Sequence, residues 1–292
     1  MLQFDPDREP VTPKDAATVA VVRETPLGVE VFCVQRHTRS GFLGGAVVFP
    51  GGKVDATDRS EHWQDLTTDL TARARSFAED ESTARSFAVA ALRELLEEAA
   101  ILAVEGADLD AEQTAELRRE LSEPAAGEPQ AHAFAALLRA RGLKADTRRL
   151  EPLAHWITPI AESRRYDTRF YILPLPGCQQ GAHDQHETTA SFWATPRDVL
   201  GRWERGEIFL APPTSRTLQI LLPASDIESA IAIARAQTLE PVCPFFTLDG
   251  DQAVLALPGD PLHPRPTPAP EDPDAPTRFV LLDGRFVGRR AV

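Results

Sequence analysis

Cysteine is scarce in this chain. Cys33, Cys178 and Cys243 stand far apart and form no C-x-x-C pair, which excludes a disulfide framework and a thiolate zinc site. Basic charge is in deficit. Lysine and arginine number 31 against 44 acids, a net charge of −13, so the surface does not suit nucleic acid or an anionic membrane. A small phosphorylated molecule stays within reach if metal ions supply local positive charge. No stretch approaches the roughly 18 apolar residues of a membrane span. The opening MLQFDPDREPVTPKD carries acids and no apolar core, so no signal peptide is expected. The closing Arg-Arg-Ala-Val is not a peroxisomal address, and a cytoplasmic location is the expectation. Familiar catalytic signatures are missing too. No G-x-S-x-G elbow supports a serine nucleophile, and His183, Asp184 and His186 complete no H-E-x-x-H zinc motif. A phosphate-binding P-loop fails at Val47, where its first glycine belongs, and at Val54 after Lys53.

What is present is ordinary globular material: 292 residues, 42% hydrophobic and 26% charged, enough for one large domain or two. Residues 17–22 and 29–36 read as strands joined by a turn at Pro26-Leu27-Gly28. A glycine-rich approach, a short apolar strand and the tight Gly51-Gly52 turn follow. Residues 59–82 read as a polar helical stretch with Trp63, Leu66 and Leu70 at helical spacing, and 83–102 as a stronger helix. There Ala88, Leu92, Leu95, Leu96 and Ala99 form one apolar face. Two further helices are expected near 111–122 and 130–141. Strands return at 153–159, 166–175 and 189–196, then helical stretches at 196–203, 215–222 and 225–237. Beyond Pro241 two hairpins turn on Asp-Gly, separated by 258–276, whose eight prolines suggest an extended, poorly packed linker.

Chemistry concentrates in RELLEEAAIL, residues 93–102. Glu94, Glu97 and Glu98 fall on one side of a helix and repel one another. A solvated face, an interaction surface or a nest of oxygen ligands for a hard cation would each explain them. Mg²⁺ or Mn²⁺ accepts carboxylate oxygens and would reverse the repulsion. Upstream, FPGGKVDATD places two glycines after an apolar strand, where a tight turn and close ligand approach are possible.

Together these residues resemble the Nudix hydrolase family, whose box reads G-x5-E-x7-R-E-U-x-E-E-x-G-U. Gly52 begins the box, Asp58 holds its first acidic position, and Arg93-Glu94-Leu95-Leu96-Glu97-Glu98 reproduces the second half. Between Asp58 and Arg93 lie 34 residues where the family has seven, and Ala100 replaces the late glycine. Such an insertion, with HWITP, RRYDTRF and LAPPTSRTL, is similar to the branch that includes the mammalian peroxisomal coenzyme A diphosphatase.

The resemblance implies an α+β fold: a Nudix α/β/α sandwich with a mixed sheet, extra helices inserted in and after the box, and a small C-terminal β-hairpin extension. The Nudix domain would span 1–240, with the box at 52–58 and 93–101, a helical insertion at 59–82 and extra helices at 108–142. Residues 241–292 would form the extension. It also implies metal binding by Glu94, Glu97, Glu98 and the Gly51 carbonyl. Arg93 would orient carboxylates, with Asp58 as its ion-pair partner and Glu79, Asp80 or Glu81 as alternatives. If Ala100 must be left-handed it costs about 1 kcal/mol relative to glycine, which a slightly longer helix would avoid. Glu187, six residues before Trp193, suits a further acid from outside the box; it or Glu98 would be the base.

Gly52, Lys53, Arg164, Arg165, Arg169 and Tyr166 are candidates for substrate contact. The arginines would serve a phosphate beyond the diphosphate. The implied activity is Mg²⁺- or Mn²⁺-dependent cleavage of a diphosphate linkage in coenzyme A or acyl-CoA. ADP-ribose, NADH or another nucleoside diphosphate derivative are the alternatives, and a non-catalytic nucleotide-sensing module the second class. The patterns do not encode the oligomeric state, and a homodimer is compatible with them.

Overall fold

The computed structural model describes residues 5, 9–39, 43–123, 132–184, 187–265, 267, 270 and 275–291. Its first strand, β1 (Lys14–Thr25), turns through Pro26-Leu27-Gly28 into antiparallel β2 (Gly28–Arg36). Gly28 has a φ of +105°, a conformation the turn requires and side chains resist. β3 (Val47–Val48) and β4 (Gly51–Lys53) then pair with β2 and β1. The twelve residues of β1 are long enough to carry both β2 and β4 along one edge.

A 3₁₀ turn at Ala56–Arg59 and two single turns, α1 (Trp63–Leu66) and α2 (Ala72–Arg75), lead to α3 (Glu81–Ala99). The expected helix over 59–82 is therefore corrected. Trp63, Leu66 and Leu70 do face the core, but from separate turns. Thr71 caps a new turn through its hydroxyl, and Thr67 and Thr68 hold the Arg85 guanidinium through a hydroxyl and a carbonyl. Short hydroxylated side chains satisfying nearby backbone compete with continuous helix. α4 (Ala111–Ser122) and α5 (Ala133–Arg141) follow; the segment expected to separate them falls almost wholly outside the described residues.

β5 (Glu151–Ile157), β6 (Tyr166–Pro174) and β7 (Thr188–Ala194) complete a seven-stranded mixed sheet ordered β3-β2-β1-β6-β5. β4 and β7 pair off this path, and β1 runs parallel to β6. The sheet is covered on both faces, so alternate residues enter two cores. Val19, Val21, Phe32, Val34, Tyr171 and Leu173 join Leu92, Leu95 and Leu96 of α3. Ala20, Val22, Val31, Cys33, Phe170 and Ile172 pack against α6 (Pro196–Glu204), α7 (Pro212–Leu221) and α8 (Ile227–Ala236). The α/β/α sandwich and α+β class stand as expected. No helix among the described residues is long and apolar enough to cross a membrane.

The tail forms β8 (Phe245–Asp249), β9 (Gln252–Ala256), β10 (Arg278–Leu282) and β11 (Arg285–Arg289). The two expected hairpins join edge to edge as one four-stranded sheet. Leu255, Phe279 and Phe286 enter the same core as α6 and α7. The segment between the hairpins is corrected in part. Asp260 is buried and accepts from the Thr277 hydroxyl and the Arg278 guanidinium, so the start of that segment is pinned rather than loose.

α3 begins at Asp80, whose carboxylate accepts the Thr83 N–H, and ends at Ala100 with φ +50° and ψ +43°. A longer helix does not avoid the left-handed residue. Ala100→Gly should therefore stabilise the fold by about 1 kcal/mol and raise Tm by roughly 2 °C for a chain of this size. An unchanged or lower Tm would contradict the strain.

Candidate active site

The box is assembled on the seam between β1 and β4. Val19 donates to the Pro50 carbonyl and Val54 to that of Asp15, both at 2.9 Å, with Gly51 opposite Thr18. Bonded and non-bonded positions alternate in an antiparallel pair, so Gly51 turns its N–H and C=O away from β1 toward α3. Its N–H donates to Glu98 Oε2 at 2.9 Å. The glycines have separate reasons. A Cβ on Gly51 would lie 2.3 Å from the Ala17 carbonyl oxygen, whereas one on Gly52 would lie 2.4 Å from the Glu94 carboxyl. The acids thus close on the glycine turn from two sides.

Arg93 organises the rest. Its Nε and Nη2 donate to Asp58 at 3.1 and 2.8 Å, and Nη2 also donates to the Lys53 carbonyl at 2.9 Å. Its Nη1 donates to Glu94 at 2.9 Å and Glu97 at 3.1 Å. Asp58 is 2% exposed and also accepts the Asp55 N–H, so the first acidic position closes its ion pair across the whole insertion. A long loop between fixed ends costs little more than a short one. Two of the three alternatives are otherwise engaged: Asp80 caps α3, and Glu81 pairs with Arg75 and Arg85.

Burial dominates the protonation of these acids. It pushes Glu94 up to about 7, partly offset by Arg93 and reinforced by Glu97. It pushes Glu98 up to about 8, with the Glu94 charge adding to the effect and the Gly51 N–H opposing it. Glu97 is raised by burial against the pull of Arg93. A carboxylate whose pKa is raised by folding stabilises the folded state below its unfolded value near 4.5 and loses that contribution as pH rises through its folded value. Metal-free protein should therefore lose Tm between about pH 5 and 8. A Glu94→Gln/Glu98→Gln variant should show a flatter profile; equal slopes in melts of both would contradict the assignment.

The donor set fits a hard divalent cation. The Glu94 carboxyl stands where a Cβ on Gly52 would be and Glu98 meets the Gly51 N–H, while one guanidinium serves Glu94 and Glu97. Oxygen donors of this kind suit Mg²⁺ or Mn²⁺. Among the described residues no His, Cys, Asp or Glu group forms a ready-made coordination cluster. Glu94 and Glu97 turn toward Arg93, and Glu98 toward the Gly51 amide.

Around this centre lies a cleft of about 940 Å³ lined by Gly51, Gly52, Lys53, Arg93, Glu94 and Glu97, among others. Arg36, Arg164, Tyr166 and Glu187 line the same cleft. Glu187 is exposed at the head of β7, where Asp184 accepts its N–H at 3.0 Å; its charge bears on both Glu94 and Glu98. Lys53 and Arg164 are exposed in the cleft as expected.

Arg165 and Arg169 do not serve there, which corrects the expectation of substrate contact. Arg165 is buried and donates to the Thr158 and Val11 carbonyls. Arg169 is buried, donates to the Phe77 carbonyl, pairs with Asp167 and lies 4.3 Å over the Phe87 ring. Arg36 was not legible as a site residue. It closes β2 at a register shift against β7, and its buried Nε has no hydrogen-bond partner among the described residues. The one sequence signal was a cation at the end of a strand that runs into the glycine-rich approach.

A family model described as the NUDT19 Nudix domain matches residues 11–221. The chain is 30% identical to the acyl-coenzyme A diphosphatase NUDT19 of Gallus gallus, over 85% of this chain and 75% of that protein. It is 26% identical to the Homo sapiens protein of the same name, over 81% and 72%. The crystal structure of a NUDIX hydrolase from Alicyclobacillus acidocaldarius superposes with a TM-score of 0.63 at 30% identity, covering 78% of this chain and 97% of that one.

Proposed function

The chain belongs to the NUDT19 branch of the Nudix hydrolases, and from that premise we propose that it cleaves the diphosphate of coenzyme A or acyl-CoA. Water adds to one phosphorus and the bridging P–O bond breaks, giving 3′,5′-ADP and a phosphopantetheine or its acyl thioester. The observation that carries the reading is the closure of Glu98 on the Gly51 N–H and of Glu94 over Gly52. It gathers anionic oxygens where a diphosphate can approach backbone.

Glu94, Glu97, Glu98 and the Gly51 carbonyl would hold Mg²⁺ or Mn²⁺. A divalent cation bound there supplies charge neutralisation on the diphosphate oxygens and lowers the pKa of water. Arg93, fixed by Asp58, keeps Glu94 and Glu97 from splaying. Lys53, Arg36 and Arg164 present positive charge to phosphate oxygens within one cleft, and an arginine can do so through two parallel bonds. Glu98 is buried with one oxygen committed to Gly51, so the exposed Glu187 takes the proton from the attacking water.

Removing a positioned base costs about 10²–10⁴-fold. Glu187→Gln should lower kcat by that much and leave KM for coenzyme A nearly unchanged. Steady-state assays with Mg²⁺ on coenzyme A, acyl-CoA, ADP-ribose and NADH test the substrate. Turnover confined to ADP-ribose or NADH contradicts the coenzyme A reading, and a full-speed Glu187→Gln contradicts the base.

A further inference from the structure

A second cavity of about 180 Å³ adjoins the catalytic cleft. The two share Thr18, Leu43, Val48, Tyr166 and Thr168 as common wall, so a polar cleft and an apolar side compartment lie directly against each other. The cleft carries the carboxylates and cations. The side compartment is lined by Phe49, Trp156, Ile157 and Phe170, by Pro212 and Pro213 at the start of α7, and by Pro244 and Leu255 of the tail, which do not line the cleft. Ligand sites for whole small molecules occupy roughly 300–1,000 Å³. The cleft is of that size, while the side compartment is too small for a second such ligand and sized for a chain.

The tail is built into this wall. Ile157 donates to the Val242 carbonyl and Val242 to that of His155, both at 2.9 Å, which fixes the segment leading to Pro244 against the end of β5. Leu255 is 2% exposed, on the sheet that packs against the main core. The C-terminal sheet thus contributes part of the compartment's wall through Leu255.

We propose that this compartment receives the acyl chain of an acyl-CoA whose diphosphate lies in the cleft, so that the C-terminal sheet sets a preferred chain length. The proposal rests on the coenzyme A reading above. An apolar lining favours methylene groups over the parts of coenzyme A that carry amides, hydroxyls or ring nitrogens, because buried polar groups need partners.

The test is a chain-length series, from coenzyme A through acetyl-, butanoyl-, hexanoyl-, octanoyl- and lauroyl-CoA. It is run on wild type and on two variants of Ile157, a half-buried wall residue outside the catalytic machinery. In wild type kcat/KM should rise by up to about fourfold per methylene and then level off once the compartment is full. Ile157→Trp should flatten the series while coenzyme A itself is turned over within about twofold of the wild-type rate. Ile157→Ala should move the plateau to longer chains, and it keeps the test open should the tryptophan variant misfold. A flat wild-type series with good coenzyme A turnover overturns the proposal and leaves the parent reading intact. So does an equal loss on coenzyme A and octanoyl-CoA in a folded Ile157→Trp, which would place the pantetheine or the adenine there. No turnover of any member, with hydrolysis of another diphosphate, overturns the coenzyme A reading itself.

Discussion

Glu98→Gln should lower kcat by about 10³-fold, the several kcal/mol that a charge-neutralising site contributes to such a reaction. The substitution keeps size and shape, and the amide oxygen can still accept the Gly51 N–H that now meets Glu98 at 2.9 Å. What is lost is a negative oxygen at the most buried position of the trio. Because burial already pushes Glu98 up to about 8, the neutral glutamine resembles the protonated acid, and metal-free protein should keep or gain stability near neutral pH. A variant that is folded, equally stable and nearly inactive separates a site residue from a structural one. Glu98→Gln at the wild-type rate would remove Glu98 from the site.

Gly52→Ala should cost about 10²-fold in kcat/KM with the fold retained. Its Cβ would stand 2.4 Å from the Glu94 carboxyl, and that carboxyl is the free end of a side chain. Glu94 can swing aside, leaving Arg93 and the centre, and a displacement near 1 Å in a catalytic group costs on this scale. Gly51→Ala offers the contrast. There the Cβ meets the Ala17 carbonyl oxygen at 2.3 Å and Thr18 Cα at 2.5 Å, backbone that cannot step back, so this variant should lose thermal stability as well as activity. Normal turnover by Gly52→Ala would mean that Glu94 has no required place over the turn.

The sequence made the box legible because its parts are local. Helical spacing groups Glu94, Glu97 and Glu98, and the glycines mark close approach. The partnership of Asp58 with Arg93 was harder, since 34 residues intervene and only a folded insertion brings its ends back together. The insertion itself misled: Trp63, Leu66 and Leu70 carry helical spacing and are buried, yet their backbone is broken by threonines that bond locally.

The arginine of β6 shows a different limit. Strand alternation sends Phe170 and Ile172 to one core and Tyr171 and Leu173 to the other. Arg169 shares the parity of the latter two and falls on the α3 side, over Phe87; the spacing groups it with Tyr171 and Leu173 but does not disclose that Asp167 and the Phe77 carbonyl engage it there. Arg36 escaped notice for the converse reason, because its approach to the cleft depends on a register shift between β2 and β7.

One titration tests the central claim most directly: Mn²⁺ added to metal-free protein at pH 8 and followed through the electron paramagnetic resonance signal of the free ion. Wild type should remove Mn²⁺ from solution until at least one site per chain is filled, and a Glu94→Gln/Glu97→Gln/Glu98→Gln variant should leave the ion free. Equal uptake by the triple variant would show that the cation is held elsewhere, and the reading of the acids around the glycine turn would fall with it.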